Sequence, residues 1–297
     1  MPNDPWSKVL KRLRLSAKVD LRADFCGCWG VDTSGSRRAP FHLLTRGTGW
    51  LHQPGKDPVQ LTPGDLVIFP RDSRHVLANS AELPGHTDMR LDQGEEPPGP
   101  VTGLMCGYFS FDRQAAAPLL DGLPESIVLD LRDTARHHDT AALIQLWLSE
   151  ASGGAPGSEA VIDRLAYVVF VHVLRDQMEK GQIKGPLEAL ADPRIGPALA
   201  QIHEDPGDSH SVENLAAAAG LSRSAFSGEF SRLVGMSPAK YVHFWRMQHA
   251  AEMLTETRLS LAHIAERSGY SSEVAFRKAF RQHMGVPPGR WRNSVTR

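Results

Sequence analysis

Two hydrophobic rhythms divide this chain. From about residue 20 to 110 the apolar positions come in short runs, FHLLTRGTGWLHQ, VQLTPGDLVIFP and RHVLAN, broken by Gly, Pro and Asp. Short runs between turn residues predict β-strands at a spacing that suits a small barrel or jelly roll. VTGLMCGYFSF reads as the closing strand, and ELPGHTDMRLDQGEEPPGPV before it as a loop. From about Arg113 the period lengthens to that of a helix. HDTAALIQLWLSEAS and SEAVIDRLAYVVFVHVLRDQMEKG are predicted helices parted by the flexible GGAPGS. The second carries an apolar face of Leu165, Val168, Val169 and Val173, which suits either a core or a dimer seam. LEALADPRIGPALAQIHEDPG predicts one further helix up to a Pro-Gly break, and Trp6, Leu10 and Leu13 sit at helical spacing near the N-terminus.

The last ninety residues say one thing twice. Gly220, Ser222, Phe226, Phe230, Gly235, Pro238 and Tyr241 are answered by Gly269, Ser271, Phe276, Phe280, Gly285, Pro288 and Trp291. In each copy a helix ends at a glycine, where a positive φ is cheap, and a serine caps the next helix. Ser211 caps the first helix of the first copy, and Ser271 or Ser272 the second helix of the second copy. Helix, short turn, capped helix is the helix-turn-helix pattern, expected here at about 211–233 and 260–283. YVHFWRMQHAAEMLTET between them is long enough to hold two reading heads apart, as successive major grooves on one side of a duplex require.

Charge sharpens this picture. The net charge of −1 hides a segment from Ser209 onward with 12 Lys and Arg against 6 Asp and Glu, a balance of +6 that leaves −7 for the rest. A basic repeat on an acidic body points to one half that meets a polyanion and another with a different task. No run of 18 apolar residues exists, so no membrane span is expected. The N-terminal MPNDPWSKVLKRLRL lacks the apolar stretch of a secretory signal, and three cysteines suit a reducing cytoplasm.

GLSRSAFSGEFSRLVGMSPAKYVHFWRMQHAAEML and IAERSGYSSEVAFRKAFRQHMGVPPGRWR resemble the C-terminal domain of AraC/XylS-type bacterial transcription regulators. FHLLTRGTGWL, LTPGDLVIFPRDSRHVL and CGYF resemble the cupin-type N-terminal domain of one branch of that family, which includes activators responsive to reactive chlorine. The resemblance implies an α+β chain: a cupin-like β-barrel sensor over 1–112, a helical linker or dimerisation region over 113–186, and an all-α DNA-binding domain over 187–297. It implies a regulator, not an enzyme, whose partners are double-stranded promoter DNA and RNA polymerase; the cysteines suit the cytoplasm, and the Leu165 face, as core or dimer seam, leaves a homodimer open. Base edges are met by the N-terminal part of each second helix. Arg223, Ser224, Ser227 and Gly228 are the candidates in the first copy, and Glu273, Val274, Arg277 and Lys278 in the second. Arg232, Arg281 and Arg246 are candidates for phosphate contacts or the edge of the core. Ser227 and Gly228 stand where the family often has large polar residues, so the first head is expected to read shape and phosphates more than bases.

GDLVIFPRDSRHVLAN matches the second cupin motif through Gly64, Pro70, His75 and Asn79, whereas the first motif retains only His42. A catalytic metal needs three protein ligands and an open position, and His42 with His75 supplies two, which argues against a cupin enzyme with a DNA-binding tail. FCGCWG places Cys26 and Cys28 on the same face of a strand, and Cys106 lies on the predicted closing strand. Three readings stay open. Cys26, Cys28 and Cys106 form a redox switch; or Cys28, His42, His75 and Cys106 hold a zinc ion; or the cysteines are structural and His42, Trp50 and His75 line a pocket for a small organic ligand.

Overall fold

The computed structural model describes residues 5–11, 15–83, 90–91, 100–111 and 113–295. Its β-strands are β1 (Ser16–Cys26), β2 (Gly30–Val31), β3 (Ala39–Arg46), β4 (Gly49–His52), β5 (Val59–Leu61), β6 (Asp65–Ile68), β7 (Val76–Ala78), β8 (Arg90–Leu91), β9 (Thr102–Ser110) and β10 (Ile127–Asp130). They form two antiparallel sheets, one in the order β10-β6-β3-β9-β1-β8 and one in the order β2-β7-β4-β5. Phe25, Leu44, Val67 and Leu104 of the first sheet and Leu51, Leu61 and Leu77 of the second share one apolar core with Trp29, Phe69 and Cys106. The cupin-like fold is therefore two facing sheets rather than a closed barrel. Most of the expected 82–101 loop lies outside the described residues.

The register places the chemistry. β3 pairs with β9 so that His42 lies opposite Cys106. Gly107, next to that thiol, leaves no space for a side chain between β9 and β1: a Cβ there would meet the Lys18 carbonyl oxygen and the Phe41 ring.

The helices are α1 (Pro5–Lys11), α2 (Arg113–Leu120), α3 (Thr134–Gly153), α4 (Ser158–Glu179), α5 (Pro186–Ala191), α6 (Ile195–Glu204), α7 (Val212–Ala218), α8 (Arg223–Val234), α9 (Pro238–Glu256), α10 (Leu261–Arg267), α11 (Glu273–Met284) and α12 (Pro288–Val295). Two compact units result. One comprises 14–112 and 123–183, the two sheets with α3 and α4; the other comprises 1–13, 113–122 and 184–297. The segment 113–186, read above as a helical region of its own, is thus shared between the units.

Three local differences from the sequence reading have physical causes. Residues 127–130, expected to be helical, form β10: Ile127 and Leu129 are buried while Val128 and Asp130 face outward, a period of two that pairs with β6. The helix expected across 187–204 is two helices, because Asp192 precedes Pro193 and is extended at ψ 129°. The face of α4 divides as well: Val169 and Val173 are fully buried, whereas Val168 and Val161 remain 38% and 39% exposed.

In the second unit α1 lies against α5 and α6, with Val9 and Leu10 buried. The repeat is written in caps and phenylalanines. Ser211 and Ser260 accept the backbone N–H of the third residue into α7 and α10, and Ser222 and Ser272 do the same for α8 and α11. Gly220 and Gly269 end the first helix of each pair at φ 64° and 77°, a conformation that costs glycine little. Phe226, Phe230, Phe276 and Phe280 are fully buried.

Candidate functional site

The DNA-facing candidates lie on α8 and α11. Because Phe226 and Phe230 turn inward, α8 presents Arg223, Ser224 and Gly228 to solvent, with Ser227 half-buried. Arg223 pairs with Glu213 at 2.9 Å, which tethers it to α7. A side chain at Gly228 would meet nothing within 4 Å, so the bare surface there is not imposed by packing. Arg232 and Arg194 both bond to Glu229, whose carboxyl is held below its ordinary range chiefly by the Arg232 hydrogen bond.

α11 is richer. Val274, Arg277 and Lys278 are exposed, and Glu273 is half-buried. Arg277 donates from Nε and Nη2 to one oxygen of Glu273, at 2.7 and 2.5 Å, so its guanidinium is held before any ligand arrives. Beside this helix runs an open groove of about 800 Å³, lined by Leu261, Lys278, Arg281, Gln282, Gly285 and Pro288. Arg246 instead donates to the carbonyl oxygens of Pro206 and Asp208, at the edge of the core.

A second cluster sits within the sheets. His42 on β3 points Nδ1 at Cys106 Sγ, 3.0 Å away, and its Nε2 lies 3.1 Å from His75 Nε2. The hydroxyl of Thr33 is 3.1 Å from His42 Nε2 and 2.9 Å from His75 Nε2. His75 Nδ1 is 2.7 Å from the Ser73 carbonyl oxygen. The protons then have one fully satisfied order. Only a donor suits the Ser73 carbonyl, so His75 Nδ1 carries a proton and its Nε2 accepts. His42 Nε2 donates towards His75 and Thr33, its Nδ1 accepts, and the Cys106 thiol donates to it.

Burial keeps this chain neutral. Loss of water, with His75 adding a smaller push, takes His42 down to about 3, and burial takes the Cys106 thiol up to about 12. Burial lowers His75 too, against the opposing pull of the Ser73 hydrogen bond. His75 is also part of the wall of a cleft of about 440 Å³, with Asp32, His52, Gln53, Arg74 and Leu83.

The structure brings His42, His75 and Cys106 together and leaves three residues out. Trp50 is half-buried on β4 beside Leu51, whose side chain fills the core; adjacent strand residues face opposite ways, so Trp50 is turned from the histidines. Cys28 is exposed, and Cys26 lies five residues beyond Leu21, which is opposite Cys106. At ~3.4 Å per residue that is about 17 Å along the sheet, beyond the ~7 Å a disulfide spans. His42 gives opposite ring nitrogens to Cys106 and His75, so one ion cannot take all three. Among the described residues no group of three or more His, Cys, Asp or Glu is placed to hold a metal. The zinc set Cys28, His42, His75 and Cys106 is therefore not assembled. Thr33 was missed from sequence: it lies in a VDTSGS turn that resembles any other.

A family profile described as cupin matches residues 4–179, and one described as helix-turn-helix domain matches 215–294. A protein of Streptomyces lividans named as an AraC-like transcription regulator is 33% identical over 302 residues, covering 99% of each chain. The RCS-specific HTH-type transcriptional activator RclR of Escherichia coli is 29% identical over 257 residues, 86% of this chain and 84% of that one. Among solved structures, the DNA-binding domain of AdpA in complex with a target DNA is 30% identical, covering 35% of this chain and 93% of that one, with a TM-score of 0.34.

Proposed function

Since the chain belongs to the AraC-like transcription regulators, DNA-binding proteins that here carry a cupin domain, we propose that it activates transcription in response to an oxidant met by its cysteines. The contact between Cys106 and His42 carries the sensing half of this proposal. Cys106 lies against a ring nitrogen of His42, in a network of hydrogen bonds that continues through Thr33 to His75. Hypochlorous acid would take two electrons from the sulfur of the neutral thiol, leaving a sulfenic acid and releasing chloride and one proton. The relative named as RCS-specific supports the same direction. An –SOH group is larger than –SH and forces the His42–Thr33–His75 chain to re-order.

The heads α8 and α11 would meet successive major grooves of promoter DNA, with Arg223, Ser224, Ser227, Gly228, Glu273, Val274, Arg277 and Lys278 towards base edges and Arg232 and Arg281 towards phosphates. The cytoplasm is the compartment where such a protein meets DNA and RNA polymerase, its partner in activation. No described helix is long and apolar enough to cross a membrane. Val161 and Val168 on α4 are the residues that a second copy would cover.

The cleft beside His75 favours a second reading, in which a small organic ligand fills it and acts on the same network. In vitro transcription from the gene's own upstream region separates the two. Protein treated briefly with hypochlorous acid is expected to change transcription, reversibly by dithiothreitol, and Cys106→Ala to abolish the change. Full oxidant-dependent induction in that variant would overturn the role of Cys106, and no response of the wild type to oxidant, with DNA still bound, would leave the ligand reading standing alone.

A further inference from the structure

Val274 is 79% exposed at the second residue of α11. The repeat supplies an internal control. Ser224 holds the same place in α8, two residues after its capping serine and two before a buried phenylalanine, as Val274 does between Ser272 and Phe276. The fold accepts a polar residue there, so nothing in the packing of a reading head requires valine. A β-branched side chain is also a poorer helix former than alanine. The valine on this face, between Glu273 and Arg277, gains nothing inside the chain and is free to meet a ligand.

In the major groove each base edge is a set of donors and acceptors, with one apolar exception, the 5-methyl group of thymine. We propose that Val274 reads a thymine through that methyl, next to the base pair met by Arg277. The two side chains are three residues apart on one helix face, and Glu273 already holds Arg277 in place. This rests on the reading of α11 as a base-contacting helix and makes Val274 a specificity-determining residue of it.

Full-length protein is used to select its preferred site from a library of random duplexes, and each thymidine of that site is then replaced by deoxyuridine. The exchange removes the methyl and keeps every hydrogen-bonding group. One replacement is expected to weaken the wild type about fourfold, the value of one buried methyl-sized group, and to leave Val274→Ala unaffected. The sensitive thymine should adjoin the base pair at which Arg277→Ala loses discrimination. Alanine favours the helix and the position is exposed, so the variant folds. If every deoxyuridine costs Val274→Ala as much as the wild type, the proposal is overturned while base reading by α11 stands. If the selection enriches no sequence, base reading itself fails, and Val274 with it.

Discussion

Arg277 and Arg281 lie one turn apart on α11 and line the same groove, but the proposed reading gives them different tasks. Replacing Arg277 by alanine is expected to cost ~1–3 kcal/mol and to relax discrimination at one base pair. Replacing Arg281, in the groove wall, should weaken all sequences alike and lower the salt slope by about one. Fluorescence anisotropy on matched and mismatched duplexes across a salt series tells these apart. His42 makes a second prediction. Its folded pKa of about 3 lies below the ordinary 6.5, so between those values the unfolded chain binds the extra proton. Stability is therefore fully present above about pH 6.5 and falls, by at most ~1.4 kcal/mol per pH unit for this residue, as the pH drops towards 3. Urea unfolding at pH 7, 6 and 5 should show that slope, and His42→Asn should reduce it, leaving the part due to the other histidines that burial lowers. The residue scale is also where the sequence was least legible. His42, His75 and Cys106 could be named, because their types are chemical. Thr33 could not, because a threonine becomes a hinge between two imidazoles only when β2 and its turn are folded over β3.

At the scale of elements the caps carry the two heads. Ser222→Ala and Ser272→Ala each remove the acceptor for one orphan N–H, and each should cost about 0.5–2 kcal/mol of stability. Losing both in one chain should cost close to the sum, because the heads are fifty residues apart and share neither cap nor core position. Gly107→Ala is expected to be worse than either, at the upper end of ~1–3 kcal/mol, since its methyl has no space between β9 and β1. Thermal unfolding measures all of these. Here the sequence was legible where local rules suffice: serine, glycine and phenylalanine at repeated spacing set the helices of both heads. It misled where a neighbour decides. Ile127–Asp130 takes its strand from the open edge of β6, and a run of four residues between helices carries no sign of that edge.

Over the whole molecule, the charge division and the repeat foretold a two-part chain, but not which segments join which part. Helical spacing near the N-terminus foretold a first helix but not its partner: α1 packs with the unit that holds the DNA-binding heads. Removing residues 1–13 should therefore lower the unfolding temperature of that unit and weaken DNA binding, while leaving the hydrogen-exchange protection of the β3–β9 strands unchanged. That placement has a consequence in time. Val9 and Leu10 leave the ribosome ahead of the surface they need on α6, which is encoded some 185 residues later. At ~5–20 residues per second the helix waits roughly 10–40 s with its apolar side uncovered. The unit of the two sheets ends at Ile183, just ahead of α6, so nearly all of it is made while the first helix waits, and each new chain completes one unit with the opening piece of the other still uncovered.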